Sequence, residues 1–345
     1  YTLHTLFPYT TLFRSDSIKI VPELEGYYEL YPEWFNAAIK LSNIPKATSV
    51  HAAGTIISPV VLDKIIPMVR SKEENLNATA LNLKDAEMAG LIKFDFLSLC
   101  TLGVINHVKK LIGVKDIYEF IGEEFDDPKV WDLIGSKNIS GLFQIGSSIY
   151  KQRMYRLKPR TIEELAACLA LVRGPCIASK ADEKYIRILE GKEEIELIHP
   201  IYDAITKETN GILIYQEQLM QICFEMGFTL DEGYKIMKLS AKKKIDELKE
   251  YEYKFMEFSE NKNMDRETAK RIFKMIVDTG LYSFNKAHGI AYAMLCYITA
   301  YLKLYYPKEF LIASLSNSYE RKEPVKDIIA RSEERRVGKE CMESV

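Results

Sequence analysis

The chain is poor in the features that mark specialised protein classes. It has 2 tryptophans, 12 prolines and 17 glycines in 345 residues, too little Pro and Gly for a collagen-like, mucin-like or low-complexity protein. The six cysteines, Cys100, Cys168, Cys176, Cys223, Cys296 and Cys341, are scattered and form no Cys-x-x-Cys pair. That spacing argues against a zinc ribbon or redox dithiol and for buried or incidental thiols of a reducing compartment. Neither charge sign prevails: 47 Lys and Arg against 49 Asp and Glu leave −2. This excludes a uniformly basic protein but not a local basic groove. The longest apolar stretch, Gly289 to Leu302, is broken by Lys303 and falls short of the ~20 residues that span a bilayer. With no cleavable signal evident, the expectation is a cytoplasmic protein without a membrane partner. Gly-x-x-x-x-Gly-Lys-Ser/Thr, Gly-x-Gly-x-x-Gly, Gly-x-Ser-x-Gly and His-Glu-x-x-His are all missing. P-loop NTPases, Rossmann dehydrogenases, typical serine hydrolases and zincins therefore lack their signatures.

What is present is ordinary globular composition, 47% apolar and 28% charged, which excludes intrinsic disorder. The length suits about two domains at ~150 residues each and buries a core without staples. Residues 1–15, a run of aromatics, Thr and Leu without a clean period, resemble translated adapter sequence, as does the charge-dense tail 331–345. Both are expected to be non-native and are set aside from the fold reading; a frayed terminus is the plain alternative. Gly54–Pro59, Leu91–Leu97 and Ile212–Ile214 read as strands, and most of the rest reads as helix. Thr161-x-x-Glu164 and Thr229-x-x-Glu232 fit capping boxes. Asp265 opens a helix that stops at Gly280. Asn285 caps a helix from about Ala287 to Tyr306, ended by Pro307, and a short helix follows. The expected class is α+β, with a sheet-containing part over about 16–145 and a mainly helical part over about 146–318.

Several groups have the chemistry to hold phosphate or metal. Strand alternation in LIKFDFL places Ile92, Phe94 and Phe96 on one face, to be buried against helices, and Leu91, Lys93, Asp95 and Leu97 on the other. A carboxylate there can hold Mg²⁺ through oxygen, and an adjacent ammonium can neutralise a phosphate; a solvated Lys/Asp pair is the plain reading. Phe284-Asn285-Lys286-Ala287-His288 precedes a long helix whose N-terminus suits an anion, although a simple N-cap beside a surface lysine accounts for the spacing equally. Lys235, Lys238, Lys242, Lys243 and Lys244 form a cationic run, with 235, 238 and 242 on one helix face. It fits either a nucleic-acid backbone or a solvated helix end, since Asp246, Glu247 and Glu250 follow. Arg173-Gly174-Pro175 ends a helix, where Arg173 complements the dipole. His51 leads into a strand through small residues, and His107 and His199 have no metal-ligand spacing.

Taken in order, HAAGTIISP, AGLIKFDFLSLCTL, GLFQIGSS, YQEQLMQI, AKKK and FNKAHGIAYAMLCYITAYLKLYYPKEF resemble the bacterial replicative DNA polymerases of family C, the alpha subunit of DNA polymerase III, over roughly residues 45–318. The resemblance implies the end of a small mixed-sheet palm over 16–145, large helical fingers over 146–318, and a tail over 319–345. It implies template-directed addition of deoxynucleotides with two Mg²⁺ ions held by three aspartates. Asp95 matches the third, as the catalytic and metal-binding carboxylate, with Lys93 as a nearby phosphate contact. Arg173, Lys238, Lys242, Lys243, Lys286 and His288 match nucleotide- or phosphate-binding positions of the fingers. Gln144 and Gln216 fall in matched segments as structural hydrogen-bond formers. The chain departs from the family at Met237 and Lys238, which stand for two arginines, at Ala241, which stands for glycine, and at Gly174, where a proline is missing. A lysine there loses the planar fork. No Asp-x-Asp strand precedes His51, so the chain as given is expected to be inactive although the full-length parent is a polymerase. The implied partners are primer-template DNA, deoxynucleoside triphosphates and, through regions absent here, the sliding clamp and other replisome subunits. A non-catalytic nucleic-acid or nucleotide-binding module and an inert helical scaffold remain as alternatives. An in-frame Asp-x-Asp strand upstream would favour the enzyme.

Overall fold

The computed structural model describes residues 2–5, 22–41, 49–70, 77–95, 97–122, 124–173, 176–177, 179–242, 244–280 and 283–320. They form two compact units that divide between Leu99 and Cys100.

The first unit contains β1 (Thr2–Thr5), α1 (Pro22–Leu30), α2 (Pro32–Leu41), β2 (Ser49–Ile57), β3 (Met68–Arg70), β4 (Asn77–Thr79), α3 (Leu83–Met88) and β5 (Ile92–Asp95). The strands make one mixed sheet in the order β3-β4-β1-β2-β5, with β1 parallel to β4 and the other pairs antiparallel. The terminal segment set aside in the sequence reading thus supplies the strand between β4 and β2. Ile56, Leu62, Ile66 and Ala86 form a small core, with Leu91 against it.

The pairing of β5 with β2 reverses one expectation. Lys93 lies opposite Ile56 and Asp95 opposite Gly54, whereas Ile92 lies opposite Ile57 and Phe94 opposite Thr55. Cross-strand partners share a face. The buried Ile56 therefore puts Lys93 and Asp95 on the covered side, and Ile92 and Phe94 are 64% and 44% exposed. Alternation correctly separates the two sets, but register decides which set faces inward. Phe96 lies outside the described residues.

The second unit is helical: α4 (Cys100–Ile112), α5 (Tyr118–Ile121), α6 (Pro128–Ile134), α7 (Ser148–Leu157), α8 (Ile162–Leu171), α9 (Ala181–Leu189), α10 (Pro200–Thr206), α11 (Gln216–Met226), α12 (Leu230–Ala241), α13 (Ile245–Glu260), α14 (Arg266–Gly280), α15 (Lys286–Tyr305) and α16 (Pro307–Glu320). Every residue of α8 from Leu165 to Leu171 is buried. Its alanines let α15 approach closely: a Cβ on Gly289 would stand 3.5 Å from the Ala166 methyl. Cys296, Tyr297 and Ala300 of α15 join Ile105, Val108, Val130 and Trp131 in this core. Helices α4 and α6 therefore belong with the helical unit, and the structural division falls well before the boundary expected near 145. A second core joins Ile222, Ile236, Phe255, Phe273 and Ile276 of α11 to α14.

The caps explain the helix starts. Asp265 accepts from the Thr268 N–H at 2.9 Å, and Thr229 and Glu232 close a complete capping box. At Thr161 only half the box forms, because Glu164 accepts from the Arg160 N–H instead. Ile212–Ile214 is not a strand. A single parallel bridge joins Tyr215 to Phe284, and the Ile214 and Tyr215 N–H groups donate to the Gln218 side chain. Lys303, which interrupts the apolar run in the sequence, is buried and donates to the carbonyls of Asn138 and Ser140. Among the described residues no helix is long and apolar enough to cross a membrane.

Candidate phosphate-binding site

Unit one holds the Lys/Asp pair. Lys93 Nζ is 2.8 Å from Asp95 Oδ1 and 3.2 Å from Oδ2. The lysine side chain is only 10% exposed and the carboxylate 43%. Gly54 opposite Asp95 contributes no side chain, which leaves the carboxylate accessible. The His51 side chain lies outside the described residues.

Unit two gathers three of the expected phosphate-binding residues, Arg173, Lys286 and His288, near the start of α15. The Arg173 guanidinium lies 4.8 Å over the Phe284 ring. Phe284 contacts His288 edge-on at 5.4 Å, and His288 lies 3.9 Å from Tyr292, which reaches Phe143 at 5.0 Å. Asn285 caps the helix by accepting from the His288 N–H at 2.8 Å. Lys286 Nζ stands 6.0 Å from the Tyr215 ring and 2.6 Å from a Glu208 oxygen. An arginine over a ring and a helix N-terminus thus lie in one cluster. The Arg173 charge also acts on Tyr150. Burial raises its hydroxyl pKa, while a Gln144 hydrogen bond and the Arg173 charge oppose that rise.

The start of α11 is laced to this cluster. Gln216 N–H donates to the Phe284 carbonyl, and its side-chain amide donates to the Ser283 carbonyl. Glu217 accepts from the Asn285 side chain at 2.8 Å and from the Lys286 N–H at 2.9 Å. Gln218 is buried and also donates to Thr209 Oγ1 at 2.9 Å. Sequence reasoning missed Glu208, Glu217 and Gln218. The run Gln216-Glu217-Gln218 directly after the apolar Ile212–Tyr215 carries the available signal: polar residues next to a buried segment must find partners.

Lys238 is aimed elsewhere, over the Tyr234 ring at 5.1 Å. It lines a cleft of about 390 Å³ with Lys235, Glu247, Glu250 and Tyr251. Met237, standing for a family arginine, is buried in the second core. Lys242 is the exposed C-cap of α12, and Lys243, like Gly174 and Pro175, lies outside the described residues. Among the described residues no group of three His, Cys, Asp or Glu side chains is placed to hold a metal. The described carboxylates therefore do not by themselves fit a two-ion centre. The described thiols are free; burial pushes Cys176 up to about 11 and Cys223 up to about 12.

A mixed sheet and a helical unit define an α+β protein. Residues 101–263 match the family described as the bacterial DNA polymerase III alpha subunit finger domain, and residues 12–98 the one described as the bacterial DNA polymerase III alpha NTPase domain. DNA polymerase III subunit alpha of Aquifex aeolicus is 35% identical over 283 residues, that of Caulobacter vibrioides 34% over 286, and that of Thermus aquaticus 32% over 319. These alignments cover 81%, 81% and 87% of the chain but 24%, 25% and 25% of the relatives. The chain belongs to the bacterial DNA polymerase III alpha subunit family and spans about a quarter of the length of the curated relatives it matches.

Proposed function

We propose that this chain is the nucleotide-handling segment of a replicative DNA polymerase, with primer-template DNA and deoxynucleoside triphosphates as its substrates. The observation that carries the reading is Arg173 and His288 against the Phe284 ring, with Lys286 in the first turn of the same helix, in a chain whose relatives are named as polymerase subunits. In this reading the helical unit binds the triphosphate, with Lys286 contacting it directly. The strand pair supplies Asp95 as one metal carboxylate and Lys93 as its phosphate-side neighbour. In this reading two further carboxylates would be needed to hold Mg²⁺ beside Asp95, and the chain alone is inactive. Lys238 and Lys242 contact the DNA backbone or triphosphate more weakly than the arginine and glycine-flanked cations of the family pattern.

Titration of dATP into the 345-residue chain tests the reading. Removing a charge-assisted contact costs about ten-fold in affinity, so Lys286→Ala is expected to weaken binding by that factor. Primer extension with Mg²⁺ is expected to be undetectable. Unchanged affinity in Lys286→Ala sinks the site; extension by the chain sinks the account of Asp95. DNA binding without any nucleotide binding would instead favour a non-catalytic nucleic-acid module.

A further inference from the structure

The Lys286 ammonium is already engaged by a carboxylate from a different element. Glu208 sits in the short helical turn Lys207–Thr209 that follows α10, 78 residues away in sequence, and its Oε2 lies 2.6 Å from Lys286 Nζ. Its position is built into the fold. Asn210 and Gly211, both with positive φ, turn the chain sharply after it, and the buried Gln218 amide donates to its neighbour Thr209 at 2.9 Å. The Lys286 backbone is held separately, by Glu217. Main chain and side chain of the same lysine thus answer to two different acids: Glu217 fixes where the residue is, and Glu208 holds only its mobile end. The ion pair rims a cavity of about 900 Å³ between α10 and α11, which Ile201, Ile205, Gln221 and Glu225 also line.

We propose that Glu208 is an affinity-determining residue that competes with the nucleotide phosphates for Lys286. This rests on the phosphate-binding reading of Lys286 given above. The polyphosphate has to displace the carboxylate, so its apparent affinity is reduced by the fraction of molecules in which Lys286 is unpaired. Both side chains are about a third exposed, so the pair is modest and screened, and the reduction it imposes is about two- to five-fold. Release is confined to the side chain, because the Glu217 bonds keep the start of α15 in place.

The test titrates inorganic tripolyphosphate, and dATP in parallel, into the full 345-residue chain at low salt. Glu208→Gln is expected to bind both about two- to five-fold more tightly than the wild type. Glu225→Gln removes the same charge from the same cavity without touching the pair, and is expected to change affinity less. In a Lys286→Ala background, Glu208→Gln is expected to have no further effect. If Lys286→Ala weakens binding and Glu208→Gln does not tighten it, or Glu225→Gln tightens it equally, the competition proposal is overturned while the phosphate site stands. If Lys286→Ala binds like the wild type, the underlying site fails and the proposal with it. Far-ultraviolet circular dichroism of each variant distinguishes a lost fold from a lost contact; should Glu208→Gln unfold, Glu208→Ser provides the same comparison.

Discussion

Position 218 carries a buried amide that works as a junction. Gln218 Oε1 accepts from the Ile214 and Tyr215 N–H groups at 3.1 and 3.0 Å, while Nε2 donates to Thr209 and to the Ile205 carbonyl. An apolar replacement strands buried donors without partners, and each such group costs about 1–3 kcal/mol. Gln218→Leu is expected to lower unfolding stability by about 2–3 kcal/mol, read as a lower urea midpoint at unchanged m-value. A loss within experimental error would mean that solvent reaches those N–H groups. The sequence showed Gln216 as a structural hydrogen-bond former, and it is one. It did not show Gln218, because which of two glutamines on a first helical turn points inward depends on what packs over that turn.

Glu232 links two helices through its charge. It closes the capping box of α12 and pairs with Lys254 of α13. The Lys254 ammonium, and then the Thr229 N–H, hold its carboxyl down from the ordinary 4.5 to about 2. A lowered folded-state value means the contribution is complete above about pH 4.5 and is lost as the pH falls toward 2. Glu232→Gln is therefore expected to lose less stability than the wild type between pH 5 and pH 3, with the difference shrinking in high salt because the group is partly exposed. Parallel acid-unfolding curves for the two proteins would contradict this. One helix further on, Gly280 ends α14 directly against Ser240 of α12. A methyl group there overlaps the Ser240 side chain, and overpacking of this kind costs about 1–3 kcal/mol. Thermal unfolding of Gly280→Ala should show a lowered midpoint; a wild-type midpoint would mean α12 can shift without cost. The capping residues of these helices were legible because caps are local. The Ile212–Ile214 strand was misread because its hydrogen bonds go to a side chain and to one residue 70 positions away, which no local pattern contains.

The two compact units differ in what they bury. Unit two contains two large cores that run from α4 to α16 and from α10 to α14. The core of unit one, among the described residues, is four side chains. Apolar burial is the main favourable term in folding, so residues 100–320 expressed alone are expected to give a helical circular dichroism spectrum and one cooperative urea transition. Residues 1–99 alone are not. A non-cooperative transition for 100–320 would show that its helices depend on the rest of the chain.

The sequence by itself determined the family, the α+β class, the main helix starts, and the placing of Lys93 and Asp95 on one strand face. These follow from short motifs and from periodicities that the backbone imposes within a few residues. Only the tertiary structure decided that the Lys93 face is the covered one, that Lys238 turns to Tyr234 rather than joining the cluster at α15, and that Glu208 and Glu217 share Lys286 between them. Each of those outcomes is set by which distant segments pack together, and an ammonium takes whichever carboxylate the fold brings within reach.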